Sequence, residues 1–437
     1  MSAQPQPKIT REGPKQRLML HYVVGNCGAL FAGLAVAYVG LLRGGHITSL
    51  TIRTGDFIQY FSVSQLILGG HGGAIYDPHA LSHIEALLVY PLSMQHGVLP
   101  YLYPPYFALA VSPLSAFPYG GAYLFWLVLN CVLLIVALFA LERYGGLTGR
   151  GAALVRLAGI CSLPVIMTLA LGQVSILIVA LLVLCFFAAR SGYDGIAGTA
   201  LALALIKPPY VLPLLVMFLV QRRWKVLSAF VATCLFLLAV PIPVLGVSIN
   251  QTYTQLLATA TGWQGQAGGV FYHHVMIAGA TYDPHVNQSF AGLAQLLMAT
   301  PASKLITLAL SVGLLALLVR CAWLSPDIDL PFGLAVVAAL LVNPHVLVHD
   351  LTLLLLPVWI ALHHRREGLP HVGWLLSACY VLITVGYPLS YVAHLQLSVI
   401  AMSALALWMF FSAKRVYGRD EHRSPVLGPV RAPGHVW

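Results

Sequence analysis

The chain is expected to be an all-α polytopic membrane protein, and three observations lead there. Of its 437 residues, 59% are hydrophobic and only 8% charged, against about 25% charged in an ordinary soluble domain. The apolar residues fall into many separate runs of roughly 17 to 25, the length that crosses a hydrocarbon core as helix. The 23 Lys and Arg are thinly spread and gather at the ends of those runs. That is a positive-inside pattern, and it accounts for the formal net charge of +10 better than a nucleic-acid surface does. A soluble globular fold is excluded.

Residues 1–17 form a basic cytoplasmic tail carrying Lys8, Arg11, Lys15 and Arg17. The apolar run 18–42 follows without an A-x-A-type cleavage site, so it reads as a retained first span and not a signal peptide. Residues 43–103 are too polar to span and make a first extracytoplasmic loop, in which 57–68 and 78–89 have the pattern of helices lying on the membrane surface. At 104–120, Pro104, Pro105, Pro113 and Pro118 interrupt an apolar stretch that is expected to be re-entrant or interfacial.

Spans are expected next at 121–141, 152–171, 174–190, 194–206, 208–220 and 226–246. Lys207-Pro208-Pro209 breaks one helical stretch, and Arg222-Arg223-Trp224-Lys225 marks a cytoplasmic turn. A second extracytoplasmic loop, 247–302, is rich in Gly, His, Gln and Thr. Spans at 303–320, 329–342, 347–362, 371–387 and 390–413 complete the transmembrane domain 18–413, with His363-His364-Arg365-Arg366 as a further cytoplasmic anchor. The total is about 12 crossings, 11 to 13 allowing for the broken helices, with both termini inside. The tail 414–437 is Pro-, Gly- and Arg-rich and reads as a disordered cytoplasmic segment. All seven cysteines lie within or at the end of apolar runs, so neither a disulfide framework nor zinc spacing is expected.

In this topology the unusual polar residues all land on the outer side. Ionisable groups at membrane depth mark sites or pathways by default, yet each has a plain reading beside the functional one. Asp56 precedes a helical pattern and has Gln59 three residues on, which is a capping-box arrangement. Lys207 either binds an anion or snorkels to headgroups. Gln173, after Gly172, either faces a cavity or caps a helix end. His345 and His349 share one helix face with Asp350 adjacent, but Val346 stands where H-E-x-x-H has Glu, so a phosphate-facing helix end fits better than a metal site. Tyr103-Pro104-Pro105 is a rigid aromatic elbow, and Asn287-Gln288-Ser289 also matches the three-residue glycosylation acceptor pattern.

Gly55-Asp56-Phe57, Tyr76-Asp77, Tyr103-Pro104-Pro105, Gly172-Gln173-Val174-Ser175, Lys207-Pro208-Pro209, Asn287-Gln288-Ser289 and Asn343-Pro344-His345 together resemble glycosyltransferase family 87. The resemblance runs over about residues 18 to 413 and rests on the order and spacing of these motifs. It implies a GT-C membrane fold and a polyprenyl-phosphate sugar donor, with mannose as the family-level sugar. It also implies an acidic catalytic base in the first outer loop, which falls on Asp56. The first-loop histidines His71, His79, His83 and His96 depart from the family pattern.

The expected reaction is transfer of a hexose, with inversion, from the lipid donor to a glycolipid or glycan acceptor at the extracytoplasmic face of the plasma (inner) membrane. Asp56 is the expected base. Lys207, His345, His349 and Arg53 are the expected phosphate contacts, and Gln173, Asn287, Gln288 and Tyr103 the expected sugar or acceptor contacts. No cofactor, metal or nucleic acid is called for, and no carboxylate cluster with magnesium-binding character is present in the sequence. The rival readings are a secondary transporter, since broken helices also hold transported substrates, and another envelope transferase or ligase acting through the outer-loop histidines.

Overall fold

The computed structural model describes residues 55–91, 97–260, 270–272, 274–277 and 283–418. The expected first span at 18–42, the tails 1–17 and 419–437, and Arg53 lie outside them. The described chain is a predominantly helical membrane protein. Its departure from an all-helical chain is a short antiparallel hairpin, β1 (Val270–Tyr272) and β2 (Val275–Ile277), in the second loop.

The first loop forms α1 (Phe57–Leu68) and α2 (Pro78–Val89), with the bounds the sequence pattern gives. Asp77 caps α2 by accepting the His79 N–H at 2.9 Å, and Pro78 supplies the preset φ of a first helical position. α1 is not the surface helix the pattern suggests. All of its residues from Phe57 to Ser64 are buried, because Phe57, Tyr60 and Phe61 pack in edge-on and tilted contacts with Tyr103, Phe107, Tyr119, Tyr123 and Trp126. The proline-broken stretch becomes α3 (Pro105–Val111), seven residues long, and a 3-10 turn at Ser112–Ala116.

The helices that follow are α4 (Tyr119–Gly145), α5 (Gly149–Ile160), α6 (Leu163–Leu171), α7 (Ser175–Arg190), α8 (Asp194–Leu203), α9 (Leu212–Val220) and α10 (Trp224–Ala239). After them come α11 (Ile249–Ala260), α12 (Phe290–Leu297), α13 (Thr300–Leu324), α14 (Asp329–Val342), α15 (Leu355–His363), α16 (Val372–Ala393) and α17 (Leu397–Tyr417). Four stretches among the described residues are long and apolar enough to cross a bilayer: Tyr119–Gly145, Trp224–Leu245, Thr300–Leu324 and Leu397–Tyr417. A fifth arises if α5 and α6, bent by 47°, act as one span. The other expected crossings that lie within the described residues contain shorter apolar stretches of 10–17 residues: Ser175–Arg190, Asp194–Ile206, Pro208–Val220, Asp329–Val342, Val348–His363 and Val372–Tyr387.

α14 is the hub. Every residue from Asp329 to Leu341 is buried, as expected of a helix that is apolar all round, and it packs against α9, α13, α15 and α17. Small residues permit that closeness: a Cβ on Gly333 would meet Met409 Cε at 2.8 Å. At the other extreme α10 buries only Val226 and α4 leaves Leu124, Val128, Val132, Ile135, Val136 and Phe139 exposed. These are the faces an apolar solvent would cover.

Candidate functional site

The site forms where the N-terminus of α1, the turn between α6 and α7, the break after α8 and the segment after α14 meet. Gly172 closes α6 in the left-handed region with φ +68, and a Cβ there would meet Phe57 Cβ at 2.7 Å. Its carbonyl accepts the Trp126 indole N–H at 2.8 Å. The first turn of α1 is therefore seated directly on this turn, which carries Gln173 to Asp56.

Asp56 occupies the N-cap position of α1 yet makes no side-chain capping bond. Its Oδ1 accepts Gln59 Nε2 at 3.0 Å, and the Gln173 amide is its second side-chain partner. Burial pushes the half-buried Asp56 carboxyl above the usual aspartate range, and the Gln173 hydrogen bond and the Lys207 charge draw it part of the way back. Tyr103 extends the chain: its hydroxyl donates to Gln173 Oε1 at 3.3 Å and accepts from Tyr60 at 3.0 Å. Burial pushes the Tyr103 phenol up to about 12, so it remains a neutral donor.

Lys207 lies between two 3-10 turns, Ala204–Ile206 and Pro208–Tyr210, with extended φ −125 and ψ 90. Pro208 disfavours the helical conformation for the residue before it, so the helix must break there. The break aims Nζ at Asp350 Oδ1, 2.7 Å away. Asp350 sits in the 3-10 helix Val348–Leu354 that leads into α15. It also accepts Ser175 Oγ at 3.2 Å and the Leu347 N–H at 3.0 Å, and it faces His349 Nε2 at 3.5 Å. His349 is buried and His345 half-buried, and both feel the charges of Asp350 and Lys207.

Of the residues expected to act together, the structure brings Asp56, Gln173, Tyr103, Lys207, His345 and His349 to one place. Asn287 and Gln288 stand a layer behind. Asn287 Nδ2 donates to the Pro344 carbonyl at 2.8 Å, and its Oδ1 accepts the Val346 N–H at 3.1 Å and Ser289 Oγ at 2.9 Å. Gln288 N–H donates to the Val346 carbonyl at 2.7 Å, while its side-chain oxygen accepts the Ser398 hydroxyl. The Asn287 amide thus fastens the 343–346 segment to the second loop, and the Gln288 amide ties that loop to α17. Four participants were not singled out from sequence for the site: Tyr60, Ser175, Tyr210, whose ring centroid lies 5.9 Å from Lys207 Nζ, and Asp350 as the partner of Lys207. The signal available for the last was charge, since a Lys and an Asp among largely apolar helices tend to pair.

The arrangement sets a basic carboxylate near an ammonium already held by a second carboxylate, with amide and hydroxyl donors between. It suits removal of a proton from a hydroxyl next to a departing anion. The model of glycosyltransferase family 87 matches residues 101–348, more than half of the 437-residue chain. The match takes in Tyr103, Gln173, Lys207, Asn287, Gln288 and His345 and leaves Asp56 and His349 outside it. No curated protein and no solved structure matches the chain.

Proposed function

The chain belongs to glycosyltransferase family 87, and from that premise we propose that it moves a hexose, mannose first, from a polyprenyl-phosphate sugar to a glycolipid or glycan acceptor. Membership makes it a transferase and sets the transporter reading aside. The proposed architecture is the GT-C fold with about 12 crossings, and the proposed place of reaction is the extracytoplasmic face of the plasma (inner) membrane. The observation that carries the mechanism is the meeting of Asp56 with Gln173, Lys207 and Asp350 at one point.

Asp56 takes the proton of the acceptor hydroxyl as that oxygen attacks the anomeric carbon from the face opposite the phosphate. The bond from the anomeric carbon to the phosphate oxygen breaks, and the configuration inverts. The electron pair stays with the lipid phosphate. Lys207 has three N–H donors and gives one to Asp350, so two remain for the departing oxygens. His345 and His349 border the same space, and Gln173 and Tyr103 orient hydroxyls of the sugar.

A lipid donor is favoured by an apolar cavity of about 420 Å³ whose lining includes Leu351, Thr352, Leu355, Ile383 and Met402. Its lining runs along α15, from Leu351 and Thr352, which follow Asp350 in sequence, to Leu362 and Arg365 at the other end of the helix.

The test is transfer of radiolabel from polyprenyl-phosphate-mannose by purified protein in lipid nanodiscs with host membrane extract as acceptor. Wild type is expected to transfer label to a new glycan, and Asp56→Asn to lose about 10² to 10⁴-fold in rate with its thermal unfolding unchanged. An Asp56→Asn protein that turns over at the wild-type rate would falsify the base assignment. Label that never leaves the mannose donor directs the assay to other polyprenyl sugars.

A further inference from the structure

The ends of α14 and α15 remote from Asp56 hold a second polar cluster that the transfer reaction does not use. α14 has 14 residues, so at 1.5 Å per residue it sets Asp329 about 21 Å from the segment that follows Val342. There Asp329, the first residue of α14, meets His363 and His364 at the end of α15. One ligand atom from each of the three lies within 4.8 Å of the other two.

His364 is the unexplained member. It is 4% exposed, and among the described residues neither of its ring nitrogens makes a hydrogen bond. Nε2 stands 3.5 Å from Asp329 Oδ2 and Nδ1 stands 3.7 Å from Glu367 Oε2. A charge-assisted pair would close to about 2.7–2.9 Å. Two donors on a tetrahedral zinc, each about 2.0–2.1 Å from the ion, stand about 3.3 Å apart. The separation from Asp329 is therefore that of two ligands of one ion more nearly than that of a salt bridge.

The surroundings support ligation. His363 Nδ1 is 2.6 Å from the Tyr144 carbonyl, which makes it the protonated nitrogen and leaves the Nε2 lone pair available. Its ring stacks on Tyr144 at 4.1 Å, which fixes its orientation. The Tyr144 hydroxyl donates to Asp329 Oδ2 at 2.6 Å and Arg190 Nε to Oδ1 at 3.1 Å, so the carboxylate is oriented as well. Arg190 opposes a cation, but its side chain is 46% exposed, and Asp327 and Glu367 add negative charge nearby. Glu367, facing His364 Nδ1, stands where an outer carboxylate orients a metal-bound histidine.

We propose that Asp329, His363 and His364 bind one divalent transition-metal ion, zinc by the character of the donors, and that the ion ties α14 to α15 at the end of the molecule away from the transfer site. Two imidazoles and a carboxylate suit zinc, and they are poor ligands for magnesium or calcium, which take oxygen. The site is distinct from the proposed chemistry, so failure of one leaves the other standing.

The experiment offers Zn²⁺ to the full-length protein, purified without chelator or polyhistidine tag, removes unbound metal by desalting, and measures zinc by mass spectrometry. About one zinc per chain is expected in wild type and in His371→Gln, an exposed histidine control, and under about a tenth of that in His364→Gln and Asp329→Asn. His364→Cys is expected to keep the metal and, loaded with Co²⁺, to add a thiolate-to-cobalt charge-transfer band absent from wild type. That signature separates lost ligation from lost folding. Wild type that retains no zinc overturns the proposal, and so does His364→Gln that binds zinc as wild type does.

Discussion

Asp56 and Asp350 are two carboxylates near one ammonium, and their partners divide the roles between them. Asp350 is engaged on both oxygens, by Lys207 and Ser175 on one and the Leu347 N–H on the other, so it serves as an anchor. Asp56 is met by the amides of Gln59 and Gln173, and burial raises its basicity. Divergent surroundings of paired acids are how such sites assign a base and a bystander. The Gln173 amide favours the ionised form of Asp56, so its removal in Gln173→Leu raises the Asp56 pKa further. Because the proposed base acts ionised, the acidic limb of kcat/KM against pH is expected to move to higher pH in this variant, with the loss greatest at low pH. A profile displaced in the opposite sense, or a uniform loss at every pH, would separate Gln173 from the base. At this scale sequence supplied the candidates but not their pairing. Lys207 and Asp350 are 143 positions apart, and no local pattern links them. The capping-box spacing of Asp56 and Gln59 was legible, yet the bond that forms runs between the side chains and leaves the helix N-terminus uncapped by Asp56.

At the scale of elements, the bounds of α1 and α2 could be read from sequence, while the burial of α1 could not. Its burial comes from rings on α3 and α4, roughly 45 to 70 residues further along the chain, and a segment that is mostly apolar and aromatic gives little sign of which face stays open. The contact of α1 with the α6–α7 turn decides where Asp56 sits, and it depends on Gly172. Gly172→Ala puts a side chain at φ +68, at a cost of about 1–2 kcal/mol, and drives a methyl against Phe57 Cβ, 2.7 Å away. The expected outcome is a lower unfolding temperature together with a larger proportional loss of transfer, because relief of the clash displaces the residue next to the base. Parallel unfolding and transfer measurements decide it. A variant that loses stability but keeps full turnover would show that this turn does not position Asp56.

Across the whole molecule, burial sorts the helices by neighbour. α14 is enclosed by protein from Asp329 to Leu341, whereas α4 and α10 present continuous apolar faces to the outside. Composition alone announced a membrane protein, but hydropathy treats a protein-covered helix and a lipid-covered one alike. For that reason several expected crossings are short apolar helices of 10–17 residues: enclosed helices need not match the bilayer thickness by themselves. α4 allows a direct test of the assignment. Val132 lies at the middle of its 27 residues and is 52% exposed, so if lipid covers that face, Val132→Arg places a charge at mid-bilayer at a cost of about 2.5–3.5 kcal/mol. Leu124→Arg, on the same helix near its end and 59% exposed, can reach the headgroups and costs far less. Membrane-inserted yield is therefore expected to fall sharply for Val132→Arg and little for Leu124→Arg. Equal yields for the two would mean that the exposed face of α4 is covered by protein, and the obvious place to look for that protein would be a second copy of the chain or a partner subunit.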